Sequence, residues 1–177
     1  MNIRRIAALA AVLPLAACSA AQVSVDFNPA ADFSGFQTYT WVDEAPQVDD
    51  IRMQSDIIAG RVRTAVETVL EEKGFRKVAS GADFEVGWMS STEDRVQYSE
   101  FNRMYRGGRY GAYWTTETHA HEYTAGTLVI DILDAASSEL VWRGIGEGKA
   151  RFGQEPAEAQ ARALEVMREI LADFPPR

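Results

Sequence analysis

Three groups of residues in this 177-residue chain have the types and spacing to do chemistry. Glu117, His119 and His121 alternate, so in an extended segment all three project from one face, with Glu122 beside them. Two imidazoles two residues apart with a carboxylate are a ligand set for zinc or copper. Such sites usually draw a further ligand from elsewhere, and the chain holds no other histidine, so the competing reading is an exposed polar strand or loop. The second group interleaves Arg95, Arg103, Arg106 and Arg109 with Tyr98, Phe101, Tyr105, Tyr110, Tyr113 and Trp114, spaced by Gly107, Gly108 and Gly111. Aromatic rings stack on bases or sugars, and arginines pair with carboxylates or phosphates. Arg103, Tyr105, Arg106, Arg109, Tyr110, Tyr113 and Trp114 are therefore the candidate partner-binding residues, against a reading in which the segment is a surface insertion with its rings tucked on a sheet. The third group is Asp131, Asp134 and Glu147, carboxylates that do acid and base work when their environments split their pKa values. Their spacing fits the mouth of a hairpin, where turn chemistry accounts for Asp134. No nucleophile elbow, phosphate-cradling loop or dinucleotide fingerprint occurs. Gly144-Ile145-Gly146-Glu147-Gly148 follows a strand and opens no helix where a phosphate site needs one, so it is expected to bend or bulge the strand. The expectation is a protein with no catalytic residues and no cofactor.

Cys18 is the chain's one cysteine, and a thiolate is the natural nucleophile for taking up a lipid. Ahead of it, Met1-Asn2-Ile3-Arg4-Arg5 is a short positive lead and Ile6 to Ala17 an apolar run of 12 residues ending in small side chains. A spanning helix needs roughly 20 apolar residues, so residues 1–17 are read as a cleaved signal peptide. Leu15-Ala16-Ala17-Cys18 resembles the lipobox of bacterial lipoproteins, which implies a thioether-linked diacylglycerol on Cys18 and an acyl group, such as palmitate, on the new amino terminus. Two or three chains hold a protein on a membrane, each buried methylene adding about 0.8 kcal/mol. Ser19 stands where an aspartate would resemble an inner-membrane retention signal. The periplasmic leaflet of the outer membrane is therefore the expected address, with residues 18–21 as lipidated terminus and tether.

Removal of the leader takes two arginines and no acid, moving the formal charge from −8 to −10. A surface of that sign repels the phosphates of nucleic acids and of anionic lipid headgroups, so nucleic acid is not an expected partner. The remaining 160 residues suit one domain.

The elements that must position these groups follow from the hydrophobic pattern. Val23, Val25 and Phe27 alternate with polar residues as in a half-buried strand, and Gln37 to Val42 reads as a second strand expected to pair with the first. Asp49 or Asp50 is expected to cap a helix whose stripe is Ile58, Val62, Ala65, Val66, Val69 and Leu70, ending at Gly74. A third strand carries Phe84, Val86 and Trp88 on one side. Residues 90–123 are expected to be an irregular Arg/Tyr/Gly-rich insertion, functional or mobile at that length, with room for strand extensions. Thr127 to Leu133 and Leu140 to Ile145 read as a hairpin, and Pro156 opens a last helix with Ala163, Leu164, Met167, Ile170, Leu171 and Phe174 inward. The fold class is α+β: a two-layer sandwich with a mostly antiparallel sheet of about five strands, in the order β-β-α-β-β-β-α, and both helices on one face.

Several stretches together resemble a known family. They are Val25-Asp26-Phe27, Asp32-Phe33-Ser34-Gly35-Phe36, Thr38-Tyr39-Thr40-Trp41, Lys73-Gly74-Phe75, Gly126 to Asp131, Leu140-Val141-Trp142-Arg143-Gly144 and Phe174-Pro175-Pro176. The pattern looks like the bacterial lipoprotein family known as domain of unknown function 4136, over about residues 22–176. The resemblance implies an envelope lipoprotein with a single periplasmic α+β domain, and brings no reaction or binding residues with it. The expected function is a non-enzymatic, lipid-anchored domain that binds or scaffolds an envelope protein or peptidoglycan. The alternative is a metal-binding or metal-dependent hydrolytic protein using His119, His121 and a nearby carboxylate such as Glu117.

Overall fold

In a computed structural model of the chain, residues 21–43, 46–52, 54–107 and 111–176 are described, with side chains outside 98–118. The elements in order are β1 (Gln22–Phe27), β2 (Thr38–Trp41), β3 (Gln47–Val48), α1 (Asp56–Glu72), β4 (Arg76–Lys77), β5 (Phe84–Gly107), β6 (Gly111–Asp134), β7 (Leu140–Lys149) and α2 (Pro156–Ile170). The architecture is α+β, as the hydrophobic pattern requires. The sheet differs from the expectation: it has seven strands in the order β1-β7-β6-β5-β2-β4, with β3 also on β5, and it is mixed. β2 runs parallel to β4 and β5, and β3 parallel to β5, while the β1–β7, β7–β6 and β6–β5 pairs are antiparallel. The parallel pairs follow from connectivity. α1 lies between β2 and β4 in the chain and carries it back to the end where it began, and a strand entered after such a crossover runs alongside its predecessor.

The first two strands do not pair with each other. β1 lies on β7, with Phe27 opposite Trp142, and β2 lies three strands further across on β5. The connection is held across the end of the sheet by aromatic rings: Phe33 packs edge-on against Phe27, Phe36 and Phe174, and Phe36 stacks on Phe84 at 5.0 Å. Phe174, brought there by the chain beyond α2, also meets Phe75, Phe84 and Trp142. Local proximity in sequence is overruled by this buried cluster.

The core lies between the helices and one sheet face. Phe84, Val86 and Trp88 of β5, Ile130 and Ile132 of β6 and Trp142 of β7 meet Val62, Val66, Val69 and Leu70 of α1 and Met167 and Ile170 of α2. α1 begins at Ser55, whose hydroxyl accepts from the Ile58 amide, a cap worth about 1 kcal/mol. The expected caps do other work: Asp50 accepts from the backbone and guanidinium of Arg52 and from the Thr92 hydroxyl. Gly74 ends α1 at φ 94°, a conformation that costs glycine nothing. The helices are joined at their polar edge by Arg168, whose fork donates to Glu72 at 2.6 and 3.1 Å.

Candidate functional site

Of residues 90–123, expected to be irregular, 90–107 and 111–123 are instead the outer halves of β5 and β6, paired without a break from Phe84↔Asp134 to Gly107↔Gly111. β7 accompanies β6 only as far as Ala125, and β3 meets β5 only at Met89 and Ser90. Beyond that point, Arg95↔Tyr123 to Gly107↔Gly111, thirteen pairs, have no third strand among the described residues. At about 3.4 Å per residue this two-stranded ribbon reaches roughly 40 Å past the sheet.

The ribbon's root is braced by charge. Arg95 donates to Glu93 at 2.9 Å and lies 3.9 Å from Glu147 of β7. The Lys149 ammonium sits 4.8 Å over the Tyr123 ring and reaches Gln97, and the Thr124 hydroxyl donates to Asp94 at 2.7 Å across the pair. These exposed contacts are individually weak; the unbroken β5–β6 ladder is what carries the ribbon out of the sheet.

The ribbon gathers most of the expected partner-binding residues. Arg103, Tyr105 and Arg106 lie on β5, Tyr113 and Trp114 on β6, and the register sets Tyr105 opposite Tyr113 and Met104 opposite Trp114. Arg109 and Tyr110 lie outside the described residues, as do Cys18 and residues 1–17. His119 and His121 are exposed on β6, opposite Ser99 and Gln97, with ring centroids 6.5 Å apart. Glu117 pairs with Phe101 in the ladder. Among the described residues no three His, Cys, Asp or Glu side chains come together as a metal site.

The carboxylates of the β6–β7 hairpin are separated by their partners. Asp131 takes the Arg143 fork at 2.6 and 2.7 Å from the adjacent strand. Asp134 accepts from the backbone amides of Ser137 and Ala136 and from the Ser137 hydroxyl, and the Ser137 amide above all holds its carboxyl below the usual range. It closes the turn, as the turn reading required.

A second feature had no expectation attached to it. A cavity of about 540 Å³ opens between the sheet, the amino-terminal half of α1 and α2. Its walls include Ile58 and Val62 of α1, Leu128 of β6, and Ala163, Val166 and Met167 of α2. The glycines of β7 set where it opens. A Cβ on Gly144 would come within 2.7 Å of Ile170 and one on Gly146 equally close, so their absence lets α2 rest on the sheet there. At Gly148 the nearest atom is the Ala21 Cα at 3.9 Å, because α2 has by then left the sheet. The glycine run therefore does not bulge the strand; the one register shift in this pairing falls at Ile132/Leu133. The period-two glycines were the signal available in the sequence: they mark one face stripped of side chains.

The family profile of a domain of unknown function, DUF4136, matches residues 23–176. The chain belongs to this family. No curated protein sequence matches it. Among solved structures, a PDZ domain protein from Parabacteroides distasonis superposes with a TM-score of 0.53 at 10% identity, over 89% of this chain and 36% of that one. The chain thus spans about a third of that protein's length. The PelC dodecamer from Paraburkholderia phytofirmans superposes with a TM-score of 0.51 at 12% identity, over 89% of this chain and 99% of the PelC chain. At such identities the likeness is one of fold.

Proposed function

We propose that this DUF4136 protein is a cell-envelope lipoprotein, tethered by lipid on Cys18 to the periplasmic leaflet of the outer membrane. In this reading its domain binds or scaffolds another envelope component, a protein or peptidoglycan, without catalysing a reaction. The ribbon carries the proposal. A hairpin of two strands is marginal in water by itself, and thirteen pairs beyond the last flanking strand order about 26 residues at a cost in backbone entropy that the sheet does not offset. A surface laid against the ribbon supplies the missing stabilisation, and the arginines and aromatic residues along it are the types enriched at interfaces. Its unpaired outer backbone edges are open to strand addition as well.

A photo-crosslinking amino acid placed at Arg103, Tyr105 or Tyr113 in cells is expected to capture a defined species that the same probe at Glu158 on α2 does not. Identical captures from both positions would reject the ribbon as the contact surface. The captured species also names the partner.

A further inference from the structure

We propose that the cavity between the sheet and the two helices binds a single-chain amphiphile with an anionic head, the chain lying among the apolar side chains and the head meeting arginines at the mouth. The proposal stands independently of the ribbon. Its first support is shape: about 540 Å³ lies within the range of small-molecule sites, roughly 300–1,000 Å³, and the walls are mostly apolar. The second support is charge. In a chain of formal charge −8, the residues lining this cavity include five basic side chains and one acid. Glu147, the acid, faces Arg95. Arg52 is neutralised by Asp50 and lies 4.5 Å over the Phe152 ring, and Lys149 covers Tyr123. Arg61, Arg151 and Arg162 remain, from α1, the β7–α2 connection and α2, with no ion-pair partner among the described residues. Three arginines from separate elements lining one apolar chamber in an acidic protein are complementary to a carboxylate or phosphate carrying a hydrocarbon chain. Trp88, 5% exposed, lines the chamber and sets an indole ring against the proposed chain.

The test uses the mature protein as its host produces it, carried in phosphatidylcholine nanodiscs, with empty nanodiscs subtracted. ω-Bromoundecanoate is titrated in while the fluorescence of Trp88 is followed against a Trp88→Phe control, since bromine quenches an indole it touches. Saturable quenching that disappears in the control is the expected result. The uncharged ω-bromoundecanol is expected to bind about tenfold more weakly, the fold-change of one lost hydrogen bond to a charged group. An Arg61→Glu/Arg162→Glu variant should lose that preference. Gly148→Leu, which fills the chamber where the backbone leaves room for a side chain, should abolish quenching while the melting temperature holds. Non-saturable quenching, or quenching unchanged in a folded Gly148→Leu variant, overturns the site. Equal affinity for the alcohol overturns the anionic head. Quenching that appears only after Cys18→Ala replacement overturns a free ligand in favour of the protein's own lipid, since Ala21 lies at the wall three residues after Cys18.

Discussion

Single residues decide how the ends of the sheet are tied, and Asp83 is the clearest instance. Its carboxylate accepts from the Thr38 hydroxyl at 2.8 Å and from the amides of Thr38 and Gln37, joining the start of β2 to the start of β5. The Thr38 hydroxyl and then those amides hold its carboxyl below the ordinary range. A carboxyl depressed in the folded state contributes its full stability above the unfolded value, about 3.9, and loses it as pH falls through the lower folded value. Asp83→Asn is therefore expected to be less stable than the parent at pH 7 and to close that gap as the pH is lowered below about 4, read by urea denaturation at both ends. The glycines of β7 give a second test at this scale. Gly146→Val, driven into Ile170, should cost about 1–3 kcal/mol, whereas Gly148→Ala, with only the Ala21 Cα at 3.9 Å, should stay within about 0.5 kcal/mol. Phe174→Ala, which empties the centre of the aromatic cluster, should cost about 3–5 kcal/mol in the same assay.

At the level of elements, the ribbon is expected to be dispensable for folding. Joining Asp94 to Thr124 through Asn-Gly removes residues 95–123, ends both strands at a pair already in register, and should leave the melting temperature of the domain within a few degrees. A removal of residues 95–114 alone, natural for a segment regarded as a loop, would strand the outer part of β6 without its partner. That difference shows where the sequence was readable. The two helices, the β6–β7 hairpin and the inward faces at Phe84, Val86 and Trp88 follow directly from period and turn residues, because each is a local pattern with one buried side. Long-range partners do not. Nothing in Val23 to Phe27 indicates a seat beside Trp142, and β3 and β4, two residues each, are too short to show a period. The outer ribbon escaped for a different reason: with no core face to impose strict alternation, a strand rich in charge and glycine looks like a loop. The candidate site was half legible, since arginines and aromatics could be named but the ladder that brings residues on β5 opposite those on β6 could not.

For the whole molecule, the proposed leader and lipid on Cys18 make a prediction about address. Fractionated membranes should carry the protein with the outer membrane, and Cys18→Ala should release it from that fraction or leave its leader uncut; a Cys18→Ala protein that still cofractionates with the outer membrane would show that lipid is not what holds it. The two proposed contact regions meet at Glu147 and Lys149, which line the cavity and also hold Arg95, Tyr123 and Gln97 at the ribbon's root, so changes to one leave the other untouched only when they spare those two residues. The ribbon's register also constrains how its size can change over time. Inserting one residue into one strand would turn every outward side chain past it inward, whereas matched additions of two residues to each strand preserve the pairing and lengthen the projection by about 7 Å. Span in this protein is therefore a quantised property, adjustable in even steps from a fixed footing.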